Sequence, residues 1–373
     1  MRGGAVPKTI AILTSGGDSP GMNAAIRAVT MVATAKGHRV LGVRQGYKGL
    51  LEGKFVPIAA DEVADILREG GTILHTARCQ RFLDVAQRDH ARDLLTQQGV
   101  DGLIVIGGNG SLAGLSLLSD PDEAKNWPVR CIGIPASIDN DIALTGLAIG
   151  VDTAMNTIVE ACDRIADTAS AHDRTFIIEV MGRDCGYLAM TSAIASGANM
   201  VLFPEAERTE EELVNAVVKS ILTVRERHRE NQKVVAIKSE GVSTTTERLK
   251  SLVDAKLSEA TGQDHDDIET RVTVLGHVVR GGRPTAFDRL LGSRFGNVAV
   301  RAILAGEHRK MIAWMPPMDL PEGVGTRSAA DPYCYIVDLP AVLAATKELL
   351  EGQSPLARWR ATAFDDLEDV FLL

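Results

Sequence analysis

The chain has 373 residues and a formal net charge of −9, a balance that excludes a general nucleic-acid binder, which needs a basic surface. No apolar run approaches the ~18 residues of a membrane span, and Met1–Lys8 has no apolar core behind its charges, so it is not a secretory signal. The cysteines Cys79, Cys131, Cys162, Cys185 and Cys334 are odd in number and lack C-x-x-C spacing, which points to reduced thiols in a cytoplasm, not disulfides or zinc.

In chain order the pattern predicts a strand at Thr9–Leu13, a helix at Met22–Ala35, a strand at Arg39–Val43 and helices at Glu62–Arg68 and Val85–Gln98. Strands follow at Gly102–Ile106 and Val129–Ile134, then a helix at Asp152–Ala169 and a strand at Thr175–Val180. The remainder reads as helix Tyr187–Ala195, strand Val201–Phe203, helix Glu210–His228, strand Val234–Ile237, helix Thr246–Glu259, strand Val272–Leu275 and helix Ala286–Leu304. Such alternation predicts an α/β fold, with largely parallel sheets covered by helices on both faces. No fixed-period repeat is visible, and the strand count fits two similar halves. Met1–Lys8, Gln263–Asp267 and Gly323–Ala330 are the segments expected to be least ordered. The charge run Arg225–Glu230 reads as the solvated end of a helix.

Three loops carry phosphate chemistry. They read Thr14-Ser15-Gly16-Gly17-Asp18-Ser19-Pro20-Gly21, Gly107-Gly108-Asn109-Gly110-Ser111 and Pro135-Ala136-Ser137-Ile138-Asp139-Asn140-Asp141. Each follows an apolar run, so bare backbone N–H groups stand at the mouth of a parallel sheet, where helix N-termini favour anions. The second loop leaves room for a diphosphate on its backbone, with the Ser111 hydroxyl as a donor. In the third, Asp139 and Asp141 are two apart. If the segment is extended both carboxylates face one side, giving a base for a hydroxyl and a group for Mg²⁺; a plain Asp-rich turn is the alternative. Val180-Met181-Gly182-Arg183 follows a further apolar run. Arg271, His277 and Arg280 flank one strand and turn, and arginine grips phosphate bidentately.

Together these residues resemble the 6-phosphofructokinase family, in order from Ile10 to about Val300. The resemblance implies phosphoryl transfer from ATP to the 1-hydroxyl of fructose 6-phosphate, a glycolytic step, in a cytoplasmic homotetramer or dimer. It implies two doubly wound α/β lobes with the active site in the cleft between them. The phosphoryl-donor lobe would comprise residues 1–150 and about 279–325, and the sugar-phosphate lobe 151–278 and about 326–373. Catalysis would fall to Asp139 as general base, Arg183 on the transferring phosphoryl group and Ser137, whose position usually holds Thr. Gly17, Tyr47, Arg78, Cys79, Asn109, Gly110 and Ser111 would line the nucleotide site. Asn109 and Asp141 would hold Mg²⁺. Met181, Gly182 and Glu240 would surround the sugar ring, His277 and Arg280 would clamp its phosphate, and Arg174 and Arg271 would reach a neighbouring subunit's site.

Some positions depart from the family pattern. Asn109 stands where ATP-using members usually carry Asp, and an amide brings oxygen without charge. Small Gly110 and Ala136 stand where pyrophosphate-using members carry Asp and Lys, which favours ATP and leaves pyrophosphate as the alternative donor. Sedoheptulose 7-phosphate is an alternative acceptor, and a non-catalytic phosphosugar-binding regulatory subunit is a further alternative. Met31 and Ala166 replace effector-binding arginines of regulated bacterial members, while Arg27 and Glu205 remain, so regulation by ADP or phosphoenolpyruvate is expected to be weak.

Overall fold

The computed structural model describes residues 6–227, 232–262, 270–320, 323–355 and 362. They fall into two compact units. The first comprises residues 1–138, 142–153 and 280–347, and the second residues 139–141, 154–279 and 348–373.

The first unit is built on one sheet. Its strands in chain order are β1 (Thr9–Ser15), β2 (Arg39–Val43), β3 (Phe55–Pro57), β4 (Gly102–Gly107) and β5 (Arg130–Pro135). Strands after the second unit complete it; their numbers, β10 (Lys310–Trp314), β11 (Gly325–Arg327) and β12 (Cys334–Asp338), follow β6 (Thr175–Val180), β7 (Met200–Leu202), β8 (Val234–Ser239) and β9 (Arg271–Val274) of that unit. The spatial order is β11-β12-β10-β5-β4-β1-β2-β3. β1 pairs in parallel with both β2 and β4, and β4 with β5. Residues Ile10–Ser15 are all buried. Helices cover both faces of a parallel sheet, so β1 reads as a continuous apolar run. The residues after β1 and β4 flank the point where strand order reverses, the usual place for a ligand crevice.

Helix α1 (Met22–Ala35) lies on this sheet and packs against the helix Ala286–Ala305. The contact is backbone to backbone. A Cβ at Gly292 would lie 2.8 Å from the Gly21 carbonyl, and one at Gly296 would lie 2.7 Å from the Ala28 Cβ. Gly292 and Gly296 are four apart and face small Ala24, Ala25 and Ala28, so any side chain there would push α1, and the loop feeding it, off the sheet.

The second unit holds a four-stranded parallel sheet in the order β7-β8-β6-β9. Its core draws on Ile177, Leu202, Val234 and Ala236 of the sheet, and on Leu213, Val217, Ile221, Leu249, Val253 and Leu257 of the helices Glu210–Arg227 and Thr246–Thr261.

Two doubly wound α/β units were expected, but three details differ. Residues 326–338, expected in the sugar-phosphate lobe, belong to the first unit's sheet, where β12 pairs antiparallel with β10 and β11. Gly323–Ala330, expected to be poorly ordered, contains β11. Glu62–Arg68, expected as a helix, is turns ending in one 3₁₀ turn at Ile66–Arg68. Burial of Val63 and Ile66 gives that segment its apolar spacing, while Gly70 and Gly71 close it before a helix can propagate. Gln263–Asp267 lies outside the described residues, as do Met1–Ala5 and His228–Glu230.

Candidate active site

In the first unit the first two loops and the start of the third, residues 135–138, follow the neighbouring strands β1, β4 and β5. A Cβ at Gly108 would contact the Ser137 Cβ at 3.6 Å, and the Ala136 N–H donates to the Gly107 carbonyl at 3.0 Å. Helix α4 (Asn109–Leu118) starts inside the second loop, where Gly108 is the N-cap and supplies no side-chain bond. Its first turn has no acidic residue. The Ser111 N–H donates to the Gly108 carbonyl at 3.0 Å, so the Asn109 and Gly110 N–H groups ahead of it carry the positive helix end, which suits phosphate. A Cβ at Gly110 would meet nothing within 4 Å, so the space above that turn is open.

Tyr47 supports the floor. It is buried, and its hydroxyl donates to the Ser111 carbonyl at 2.6 Å. Burial pushes its phenol above the ordinary tyrosine range, and Cys131 adds to that shift, so it stays a neutral donor. Its ring stacks on Phe82 at 4.1 Å between centroids. Phe82 lies in a 3₁₀ turn, Gln80–Leu83, that begins at Cys79, so Arg78 and Cys79 lead directly into this buried stack. The Thr76 hydroxyl donates to the Gly16 carbonyl, tying the same segment to the first loop. Nothing in the sequence around Thr76 or Phe82 marks them; they become visible only once β1 and the 72–84 segment are neighbours.

Arg280 belongs to this unit too. Its Nη1 donates to the Asp18 carbonyl at 3.4 Å and would meet a Cβ at Gly17 at 2.5 Å. Gly17 thus gives an arginine room over the first loop.

The Asp139–Asp141 segment is grouped with the second unit. Its backbone corrects the sequence expectation: Ile138 and Asp139 form a turn, and Asn140 has φ 49°. Asn tolerates this left-handed region better than other side chains. Strand alternation therefore does not apply, and a shared face for the two carboxylates does not follow from their spacing. Both are half-buried.

In the second unit, residues after β6 and β8 carry Met181, Gly182, Arg183 and Glu240. Gly182 has φ 127°, and a Cβ there would lie 2.5 Å from the Cys185 carbonyl. The Gly241 N–H donates to the Gly182 carbonyl at 3.2 Å, the Glu240 N–H donates to the Val180 carbonyl at 2.8 Å, and the Ser239 hydroxyl also donates to Gly182. The two loops are thus one bonded platform. Met181 is buried, whereas Arg183 and Glu240 are exposed on it. His277, exposed, follows β9, which pairs with β6.

Arg174 and Arg271 sit elsewhere. Arg174 precedes β6, and Arg271 begins β9 opposite Phe176. Both therefore mark the N-terminal edge of this sheet, roughly 20 Å along the strands from Met181 at about 3.3 Å per residue.

The phosphofructokinase family profile matches residues 9–303. The chain belongs to this family. It is 44% identical over 306 residues to the ATP-dependent 6-phosphofructokinase of Thermotoga neapolitana, covering 82% of this chain and 89% of that one. Identity to the Clostridium novyi enzyme of the same name is 43% over 332 residues, covering 88% and 97%. Among solved structures, Saccharomyces cerevisiae phosphofructokinase aligns with a TM-score of 0.81 at 32% identity, covering 98% of this chain. The chain spans 50% of that longer yeast chain. A pyrophosphate-dependent phosphofructokinase from Marinobacter aquaeolei aligns with a TM-score of 0.70 at 20% identity, over 90% and 83% of the two chains, and shares the fold.

Glu205 and Arg27, matched above to effector positions, carry local bonds. Glu205 accepts the Gly186 N–H through both oxygens, at 2.9 and 3.0 Å, at the N-terminus of the helix Tyr187–Ser196. Arg27 donates to the Ala64 carbonyl at 3.2 Å.

Proposed function

We propose that this chain transfers the terminal phosphoryl group of ATP to the 1-hydroxyl of fructose 6-phosphate, giving fructose 1,6-bisphosphate and ADP. The observation that carries the reading is the row of loops after β1, β4 and β5, with the uncapped α4 N-terminus in the middle and open space over Gly110. A nucleotide's polyphosphate fits that space, and the identity to ATP-dependent relatives supports the same donor. Gly17, Tyr47, Arg78, Cys79, Asn109, Gly110 and Ser111 are assigned to the nucleotide.

Asp139 is assigned as the base that accepts the hydroxyl proton, and Ser137 as a hydroxyl donor to the phosphoryl group in flight. Arg183 offsets charge on that group. Transfer is then in-line, and its rate rests on alignment and charge stabilisation. Met181, Gly182 and Glu240 surround the sugar ring, and His277 and Arg280 hold its phosphate. For Arg280 that means leaving a long bond to the Asp18 carbonyl, which costs little.

Mg²⁺ fits the residues present. Asn109 and Asp141 offer hard oxygen donors, and among the described residues no three His, Cys, Asp or Glu side chains converge on a dedicated cage. Magnesium bound by one or two protein oxygens, with phosphates and water completing the shell, matches that set. When bound, Mg²⁺ supplies charge neutralisation on the transferring phosphates.

The protein is assigned as a cytoplasmic homo-oligomer; among the described residues no helix is long and apolar enough to cross a membrane. The test is an initial-rate assay of fructose 1,6-bisphosphate formation with Mg²⁺, comparing ATP with pyrophosphate. ATP alone should support turnover. Preference for pyrophosphate would assign Asn109 the deciding role, and no activity with either would favour a regulatory phosphosugar-binding subunit.

A further inference from the structure

Lysine is almost never fully buried unless it is paired. Lys238, on β8, has only 1% of its side chain exposed. Its partner is Glu179, directly across on β6 in the parallel register. The Lys238 Nζ donates to Glu179 Oε2 at 3.3 Å and to the Ser239 carbonyl at 3.2 Å. The Thr246 hydroxyl donates to the same Glu179 oxygen. Burial holds the Lys238 ammonium below the usual lysine range, against the opposing pull of Glu179.

A buried ion pair is a weak way to stabilise a sheet. Replacing one by apolar side chains of similar volume is often neutral or stabilising, because two charges must be desolvated. Stability alone therefore does not account for Lys238. Its location does. Glu240 opens the loop that runs from β8 to the helix Thr246–Thr261, numbered α8 here. Lys238 and Ser239 stand at the loop's entrance, and buried Thr246 at its exit. The triad of Lys238, Glu179 and Thr246 ties both ends to β6. On β6 it meets the strand whose next residues are Val180, Met181, Gly182 and Arg183.

We propose that Lys238 is a positioning residue for the acceptor sugar, acting through Glu179 and Thr246 to fix the loop that presents Glu240 beside Met181 and Gly182. This rests on the assignment of those residues to fructose 6-phosphate. The geometry also explains why a cation is used. An apolar residue would pack against β6, but it would not engage Glu179 and the Ser239 carbonyl at once, so the strand end and α8 could shift independently.

The test uses the full-length chain and Lys238→Met. Fructose 6-phosphate half-saturation should rise about tenfold, well within what misplacing a substrate-contacting group costs, while that for ATP changes less than about twofold. The double variant Lys238→Met/Glu179→Leu replaces the ion pair by apolar side chains; its melting temperature should return toward that of the parent while the raised half-saturation persists. Lys250→Met, which removes the Lys250–Asp254 ion pair on α8, should lower the melting temperature without moving the half-saturation. Calorimetric titration with fructose 6-phosphate, without donor, separates the two levels. A parent protein that does not bind the sugar would overturn the proposed function and the positioning role with it. A parent that binds, with Lys238→Met binding equally well, would overturn the positioning role alone. So would recovery of normal half-saturation in the double variant, which would mark Lys238 as structural only.

Discussion

At the scale of single residues, Asn140 decides more than its neighbours' spacing does. Its φ of 49° breaks the alternation on which a shared face for Asp139 and Asp141 was expected, so their separate assignments rest on family membership. Asp139→Ser should leave sugar binding near normal and lower turnover by roughly 10²–10⁴-fold, the usual contribution of a general base. A loss below about tenfold in steady-state assays would remove Asp139 from that role. The residues assigned to ligand could be proposed from the sequence because glycine, aspartate and arginine at strand ends carry their own signal. Tyr47 was legible only through the family resemblance. The supports beneath the site, Phe82, Thr76, Lys238 and Glu179, were not legible, because each acts on a partner far along the chain, Tyr47 for Phe82, Gly16 for Thr76 and the facing strand for the other two. A lysine in Val-Val-Ala-Ile-Lys-Ser looks like an exposed strand position until its register against Glu179 is known.

At the scale of elements, strands and helices with strong periodicity were legible. Met22–Ala35, Arg39–Val43 and Thr175–Val180 are found with the expected bounds. Helix α4 was read only as a loop, since Asn109-Gly110-Ser111 are poor helix formers; burial of Leu112, Leu115 and Leu118 in the first unit overrides that propensity. The strands after residue 306 went unread, because β10, β11 and β12 are only three to five residues long and carry little pattern of their own. One junction among them has a pH dependence. The Cys131 N–H of β5 donates to Nδ1 of His308, just ahead of β10, at 3.1 Å. Burial holds the His308 pKa below the ordinary imidazole value, and Arg130 and Arg309 add to the shift. Neutral His308 is therefore the form the fold prefers. Its contribution to stability is complete above the unfolded value of about 6.5 and is lost as pH falls through the lower folded value. Denaturant titrations between pH 7.5 and 5 should show declining stability, and His308→Ala should flatten part of that slope; an unchanged slope would detach His308 from it.

At the scale of the whole molecule, the position of Arg174 and Arg271 at the far edge of their sheet fits the proposal that they serve a neighbouring subunit's site. Arginines roughly 20 Å along the strands from Met181 cannot serve the same loops, but they can serve a second copy's. Arg271→Ala should mainly raise fructose 6-phosphate half-saturation. Co-expressed with Asp139→Ser, it should form mixed oligomers whose activity at low sugar exceeds that of either parent variant. Absence of such complementation in purified hybrids would rule out the shared site.

The strand order of the first unit also has a consequence for synthesis. β5 is flanked by β4 on one side and by β10 on the other. Lys310 leaves the ribosome about 175 residues after Pro135, a delay of roughly ten to thirty-five seconds at typical elongation rates. For that interval the nascent chain carries β5, almost wholly apolar, with one edge unpaired, the kind of edge that invites pairing with another chain. Meanwhile nearly the whole of the second unit is made and can complete its own sheet. The half that holds the phosphate loops therefore begins first and closes last, leaving the β5 edge exposed to other chains in the middle of its own translation.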